Sequence, residues 1–285
     1  IEEDYDTHLS RDNTVLTSMY SIPNAEQQNL SGVTIMTAGA PPAPQVIRSM
    51  ENMGAHILHT YGLTETYGPT AICAIQPDWK EKSSEEVANL KSRQGVGYIV
   101  ADTGMRVVDT EMNDVKKDGS QMGEVVMNGN IVMSGYFNDE DATSKAFEGG
   151  WFHSGDLAVW HPDGYIELQD RAKDIIISGG ENISSQEVEK VIMEHDGVLE
   201  VSVVGVPDER WGEVPKAFVM SREGSSVSEE EIITFTRDRI AHFKAPKYVE
   251  FGELPKTATG KIQKYVLRDK EWEGKEKRIQ GSSLT

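Results

Sequence analysis

Apolar residues change texture along this chain. Val33-Thr34-Ile35-Met36-Thr37 reads as a strand, and Ala38-Gly39-Ala40-Pro41-Pro42 breaks it. Val46, Ile47, Met50 and Met53 then recur at helical spacing, and after Gly54 the segment Ile57-Leu58-His59-Thr60 resumes as a strand. A strand–helix–strand unit of this kind builds parallel sheets. The first 30 residues are polar and weakly patterned, and residues 80–92 are charged and expected to be helical.

From Gly95 to about Asp170 the signals are short strands separated by Gly, Asp and Asn: Met105–Val108, Gly123–Met127, Leu157–Trp160 and Tyr165–Leu168. Pro162-Asp163-Gly164 is a tight-turn signal between the last two. A small β-barrel or curved sheet is expected, with a short helix over Ala142–Phe147. After Arg171 the pattern becomes α+β: strands at 175–177, 201–206 and 216–220, and helices opening at Ser184 and Ser228 with acids in their first turns. A boundary near 170–173 therefore divides an α/β part, residues 1–170, from a smaller α+β part, residues 171–285.

Charge narrows the function classes. Lys and Arg number 28 against 47 Asp and Glu, a net charge of −19, which disfavours a broad nucleic-acid or anionic-membrane surface. The apolar runs are too short to span a bilayer. Acidic runs such as Glu2-Glu3-Asp4 and Glu229-Glu230-Glu231 read as solvated loop or first-turn helix. One cysteine, Cys73, rules out an internal disulfide and a cysteine zinc cluster, and its apolar run reads as core. No secretory leader is visible and the terminus Ser282-Ser283-Leu284-Thr285 is not a peroxisomal address, so the cytoplasm is the default expectation, with the peroxisome as the alternative.

Five segments carry candidate chemistry. Tyr61-Gly62-Leu63-Thr64-Glu65-Thr66 follows a strand: an aromatic face can stack on a base, a Thr hydroxyl can bind phosphate, and a Glu carboxylate can hold Mg²⁺. Gly39-Ala40-Pro41 follows the preceding strand, so both can lie at the carboxyl edge of one sheet, where α/β folds bind ligands. In Ser154-Gly155-Asp156 the carboxylate suits a ribose diol. Asp170-Arg171-Ala172-Lys173-Asp174 leads to Ser178-Gly179-Gly180-Glu181-Asn182. Leu254-Pro255-Lys256-Thr257-Ala258-Thr259-Gly260-Lys261 invites comparison with a P-loop but fails it, with Pro255 where the first Gly belongs and Ile262 where Ser or Thr should follow the Lys. Singly, each segment is also an ordinary turn or solvated loop.

Together, in order and spacing, these segments resemble the adenylate-forming superfamily of acyl-CoA synthetases, luciferases and peptide-synthetase adenylation domains. The wording around Thr60–Pro69 and Ile176–Ser185 looks most like plant acyl-activating enzymes and medium-chain acyl-CoA synthetases. The resemblance implies a C-terminal portion of such a ligase: a remnant of the large AMP-binding domain, then a small mobile domain. It implies ATP or AMP, Mg²⁺ and coenzyme A as cofactors, and a fatty or aromatic carboxylic acid activated through an acyl-adenylate.

By the same resemblance, adenine sits between Gly39, Ala40, Pro41 and Tyr61, with Thr60 and Gly62 adjoining. Thr64 binds the α-phosphate, Glu65 faces Mg²⁺, and Asp156 holds the ribose hydroxyls with Arg171 assisting. Asn182 lies near the nucleotide. Lys173 matches the hinge, Lys261 the lysine of adenylation, and Gly179 and Gly180 the loop that approaches pantetheine in the thioester-forming pose. The family's Ser/Thr/Gly-rich phosphate loop has no counterpart in this sequence, which opens at Ile1. An incomplete fragment, or a non-catalytic interaction protein derived from such a ligase, is therefore the alternative expectation.

Overall fold

The computed structural model describes residues 7–39, 41–97, 103–257 and 260–275, and the chain divides into two compact units, Ile1–Leu168 and Gln169–Thr285. The tail beyond Lys275, the Glu2-Glu3-Asp4 run, Ala40, Ala258 and Thr259 lie outside the described residues.

The first unit is founded on a five-stranded sheet in the order β1 (His8–Asp12), β2 (Thr34–Ala38), β3 (His56–Leu63), β4 (Gly68–Ile72), β5 (Val96–Gly97). β1, β2 and β3 run parallel, so the expected strand–helix–strand unit is present, and β4 and β5 return antiparallel. α1 (Asn13–Ser21) and α2 (Pro44–Asn52) make the crossovers. Pro44 begins α2, where its missing N–H costs nothing. Val46, Ile47 and Met50 turn one face of α2 onto Ile35, Ile57 and Leu16, the core of this layer. α3 (Ser84–Lys91) opens on a capping box in which Ser83 and Glu86 satisfy each other's backbone N–H groups.

A second sheet follows in the order β6 (Thr103–Val108), β7 (Met122–Gly129), β8 (Phe152–Trp160), β9 (Ile166–Arg171). β6–β7 and β7–β8 are antiparallel, and a bridge between Gly95 and Ile166 ties β9 to the first sheet. Four strands are too few to enclose a filled interior. Among the described residues this sheet stays open rather than closing into the barrel entertained from the sequence. α4 (Glu140–Ala146) is capped by the Asp139 carboxylate. Val107, Val125, Met127, Phe152 and Ile166 pack with Tyr61 and Ala71 of the first sheet into one core.

In the second unit β10 (Ile176–Ser178), β11 (Glu181–Ile183), β12 (Val198–Asp208) and β13 (Gly212–Ser221) form the order β11-β10-β13-β12, and β14 (Tyr248–Phe251) adds to β13 in parallel. Among the described residues three α-helices accompany them: α5 (Ser185–Ile192), α6 (Glu229–Arg237) and α7 (Lys264–Trp272). Ser184 and Ser228 cap α5 and α6 as their sequences foretell. Side chains close the sheet margins, where open ladders invite pairing with other chains. Glu189 accepts from the Val203 N–H at 2.6 Å, Glu229 accepts from the Val249 N–H at 3.0 Å, and the Trp272 indole donates to the Gly205 carbonyl at 3.0 Å. Among the described residues no helix is long and apolar enough to cross a membrane.

Candidate functional site

The parallel pairing of β2 and β3, with Thr37 opposite His59, brings the carboxyl ends of both strands to one edge of the first sheet. Gly39 leaves β2 at φ +94°, a left-handed conformation natural to glycine. Thr60 is buried and donates to the Thr37 carbonyl at 3.3 Å. Gly62 passes so close to the next strand that a β-carbon there would lie 2.0 Å from the Gly68 carbonyl oxygen. The chain then makes a 3₁₀ turn over Thr64–Thr66, pinned by the Thr66 hydroxyl, which accepts from the Leu63 N–H at 2.9 Å. Thr64 is exposed on that turn, and Tyr67 beyond it is left-handed at φ 55° and 91% exposed.

Glu65 is held by a loop of the second sheet. Its backbone carbonyl accepts from the Met133 N–H at 2.7 Å, and its carboxylate accepts from the Tyr136 hydroxyl at 3.1 Å. Burial, and then the neighbouring Glu65 charge, raise the Tyr136 pKa above its ordinary value.

Ser154-Gly155-Asp156 forms an irregularity in β8. Glu124 pairs with Leu157 and Val126 with His153, so three residues of β8 stand opposite the single Val125. Such a bulge re-aims side chains. The Asp156 carboxylate is 5% exposed and accepts from the Tyr61 hydroxyl at 2.8 Å, Tyr61 itself being 7% exposed. Two segments 95 residues apart thus meet at one buried hydrogen bond.

The remaining candidates belong to the second unit. Arg171 and Lys173 lie on a turn in which the Arg171 carbonyl accepts from the Asp174 and Ile175 N–H groups. Asp170, just before it, is 2% exposed and accepts from the Ser185 N–H at 2.5 Å. From α7, Lys264 pairs with Glu189 at 2.8 Å and Arg268 with Asp174 at 2.5 Å. Burial raises the pKa values of Asp170 and Glu189, with Lys264 opposing the shift. Burial works against the Lys264 ammonium, but Glu189 and Asp170 hold its pKa above the ordinary value.

Gly179 and Gly180 are the two loop residues of the β10–β11 hairpin, at φ 60° and 90°. That pair of positive angles is what a type I′ turn requires. The Trp211 ring packs on Gly179, whose N–H donates to the Trp211 carbonyl at 2.8 Å. Asn182 is exposed on β11. Lys261 is exposed at the end of a loop in which its N–H reaches the Thr257 hydroxyl and its carbonyl accepts from the Thr257 N–H at 2.8 Å. Glu124, Tyr136 and Trp211 were not singled out from the sequence. The one available signal was for Glu124, an acid inside the apolar run Met122–Met127.

Among the described residues no group of three or more His, Cys, Asp and Glu converges as a metal cage. A single carboxylate such as Glu65 suits Mg²⁺ accompanied by phosphate oxygens and water, and does not suit a protein-only site.

The first unit thus presents an α/β sheet edge with a glycine turn, a buried Tyr–Asp contact and an adjoining turn that carries exposed Thr64 and half-buried Glu65. The model of the AMP-binding enzyme family matches residues 10–137, and that of the AMP-binding enzyme C-terminal domain matches residues 187–261. An acetate–CoA ligase of Humulus lupulus is 55% identical over 84% of this chain and 43% of its own length. A peroxisomal acetate/butyrate–CoA ligase of Arabidopsis thaliana is 51% identical, again over 84% of this chain and 43% of its own length. The crystal structure of the anthranilate–CoA ligase AuaEII in complex with anthranoyl-AMP superposes with a TM-score of 0.79 at 25% identity, over 93% of this chain and 50% of that one. The chain carries both of these AMP-binding enzyme domains, and the relatives it matches are CoA ligases. It spans about half the length of the relatives it matches.

Proposed function

We propose that the protein is an acid–thiol ligase that activates a small carboxylic acid with ATP as its acyl-adenylate and passes the acyl group to coenzyme A. The Tyr61–Asp156 hydrogen bond carries this reading, because it fixes a carboxylate suited to a ribose diol beside the residues suited to the base and phosphates. A carboxylate accepts several hydrogen bonds at once, so the Tyr61 contact and a diol are compatible. Gly39, Pro41, Thr60, Tyr61 and Gly62 form the base-binding edge, with Ala40 between them. Thr64 takes the α-phosphate, and Arg171 and Asn182 assist the nucleotide.

The acid's carboxylate oxygen attacks the α-phosphorus and pyrophosphate leaves. The thiolate of coenzyme A then attacks the acyl carbonyl and AMP leaves. Lys261 offsets the negative charge that accumulates in the first step. Glu65 would hold Mg²⁺ together with the phosphates, and the ion would supply charge neutralisation of the same kind. Because two half-reactions need two sets of groups, Lys173 serves as the hinge between residues 1–170 and 171–285, presenting Lys261 for one and the Gly179-Gly180 loop for the other. Acetate and butyrate, named for the two plant relatives, favour a short aliphatic acid over a long-chain or aromatic one. The peroxisomal relative keeps the peroxisome beside the cytoplasm as the place of action.

The test is to incubate the protein at its full natural length with ATP, Mg²⁺, coenzyme A and acetate, butyrate or benzoate. AMP and acyl-CoA should appear in equal amounts, and Lys261→Ala should abolish both while the fold is kept. ADP as the nucleotide product, or full activity in Lys261→Ala, contradicts the proposal.

A further inference from the structure

We infer that Glu124 is the positioning residue that aims Asp156 at the nucleotide. The inference rests on the assignment of Asp156 to the ribose hydroxyls and goes beyond it, because Glu124 lies on another strand and acts through the backbone.

The bulge in β8 gives Asp156 its direction, and Glu124 holds that bulge. One Glu124 oxygen accepts from the Gly155 N–H at 2.8 Å, and the other lies 2.8 Å from Nδ1 of His153. The same carboxylate thereby ties the residue just before Asp156 to the residue that opens the bulge. Nε2 of His153 lies 3.1 Å from the Glu148 carbonyl, which fixes the ring from its far side. Inside the bulge the Ser154 hydroxyl donates to the Val125 carbonyl at 2.6 Å and accepts from the Asp156 N–H at 3.1 Å.

Gly155 holds φ +70°, a conformation that ordinary strand residues avoid. A glycine there has no side chain of its own to fix it, and no neighbour lies within 4 Å of the position a β-carbon would take. Its orientation is therefore set through hydrogen bonds, and the one from its N–H ends on Glu124. Without Glu124 the bulge can relax toward a regular strand. Asp156 lies inside the bulge, so a change in the bulge's path changes the direction of its carboxylate and breaks the contact with Tyr61. Among apolar neighbours in β7, a half-buried acid whose two oxygens both serve the Asp156 segment has this consequence for the site.

The test is calorimetric titration of the chain with AMP and with 2′,3′-dideoxy-AMP, which lacks both ribose hydroxyls. Glu124→Ala should lower AMP affinity about tenfold, the equivalent of one lost charged hydrogen bond. Glu124→Asp, too short to span the bulge, should do the same and is the variant read if Glu124→Ala does not fold. Glu124→Gln keeps an acceptor oxygen for Gly155 and should stay within about threefold of the parent. Dideoxy-AMP should bind all of them alike, and neither Glu124→Ala nor Glu124→Asp should weaken AMP binding further once Asp156→Asn is present. If Asp156→Asn weakens AMP binding and the Glu124 variants do not, or if they weaken dideoxy-AMP equally, Glu124 is a structural strand residue and the inference alone fails. If Asp156→Asn leaves AMP affinity unchanged, the ribose assignment fails and the inference falls with it.

Discussion

The Tyr61 hydroxyl donates to the Asp156 carboxylate at 2.8 Å between two side chains that are both almost fully buried. A hydrogen bond to a buried charge is worth more than one between neutral groups, and removing its donor leaves desolvation uncompensated. Tyr61→Phe keeps the ring and its place in the core but removes the donor. It should lower the unfolding free energy by about 1–3 kcal/mol in urea titrations and weaken AMP binding. An unchanged urea midpoint would mean that the contact does not stabilise the fold.

His59 gives the first unit a pH dependence with a defined window. Burial pushes its pKa from the usual 6.5 to about 4, and Nδ1 faces the Arg93 carbonyl at 2.9 Å. Between these values the unfolded chain binds a proton that the folded chain refuses. Stability is therefore fully present above about 6.5, falls as pH drops toward 4, and is not reduced further by this group below that. The loss from His59 amounts to about 3 kcal/mol across the window. Denaturation of parent and His59→Leu at pH 7 and pH 4.5 isolates the effect, and equal pH slopes in the two proteins would refute it.

Gly62 is required for a steric reason, independent of the proposed nucleotide site beside it. A methyl group there meets the Gly68 carbonyl oxygen at 2.0 Å, a backbone atom with no flexible side chain to yield. Gly62→Ala should cost more than about 3 kcal/mol, or prevent folding of the first unit. Thermal melting or the yield of folded protein decides it, and an unshifted Tm would contradict the close approach.

In the second unit Lys264 compensates two carboxylates at once, pairing with Glu189 and favouring the charged form of Asp170. Removing the cation from such a cluster leaves desolvated charge behind. Lys264→Ala should destabilise the second unit by about 3 kcal/mol at neutral pH, with less loss at acid pH, where the two raised carboxyl pKa values allow neutralisation. A loss below about 1 kcal/mol at pH 7 in urea titrations would show the cluster to be solvated.

The elements legible in the sequence are those with a strong apolar period. α2 turns Val46, Ile47 and Met50 inward, and β12 and β13 are long and apolar. β1 escaped notice because the pattern His8-Leu9-Ser10-Arg11-Asp12 offers one apolar residue at the margin of a sheet. α7 escaped because only Leu267 of its nine residues is buried, packed with Val204, Val206 and Phe218, while Lys264 and Arg268 add ion pairs. β11 and β14 are short strands whose pairing is settled by long-range partners. The site divides along the same line. The turn glycines and the Thr-Glu turn are local, so sequence suffices to mark them. The meeting of Tyr61 with Asp156, and of Glu124 with Gly155, depends on how strands far apart in the chain pair and where β8 bulges.

The most direct measurement is calorimetric titration of the chain with AMP, comparing the parent with Asp156→Ala. Saturable binding of AMP that Asp156→Ala abolishes is the result predicted for a nucleotide site built on the Tyr61–Asp156 contact. Equal affinity in the two proteins, or no binding by the correctly folded parent, would contradict it.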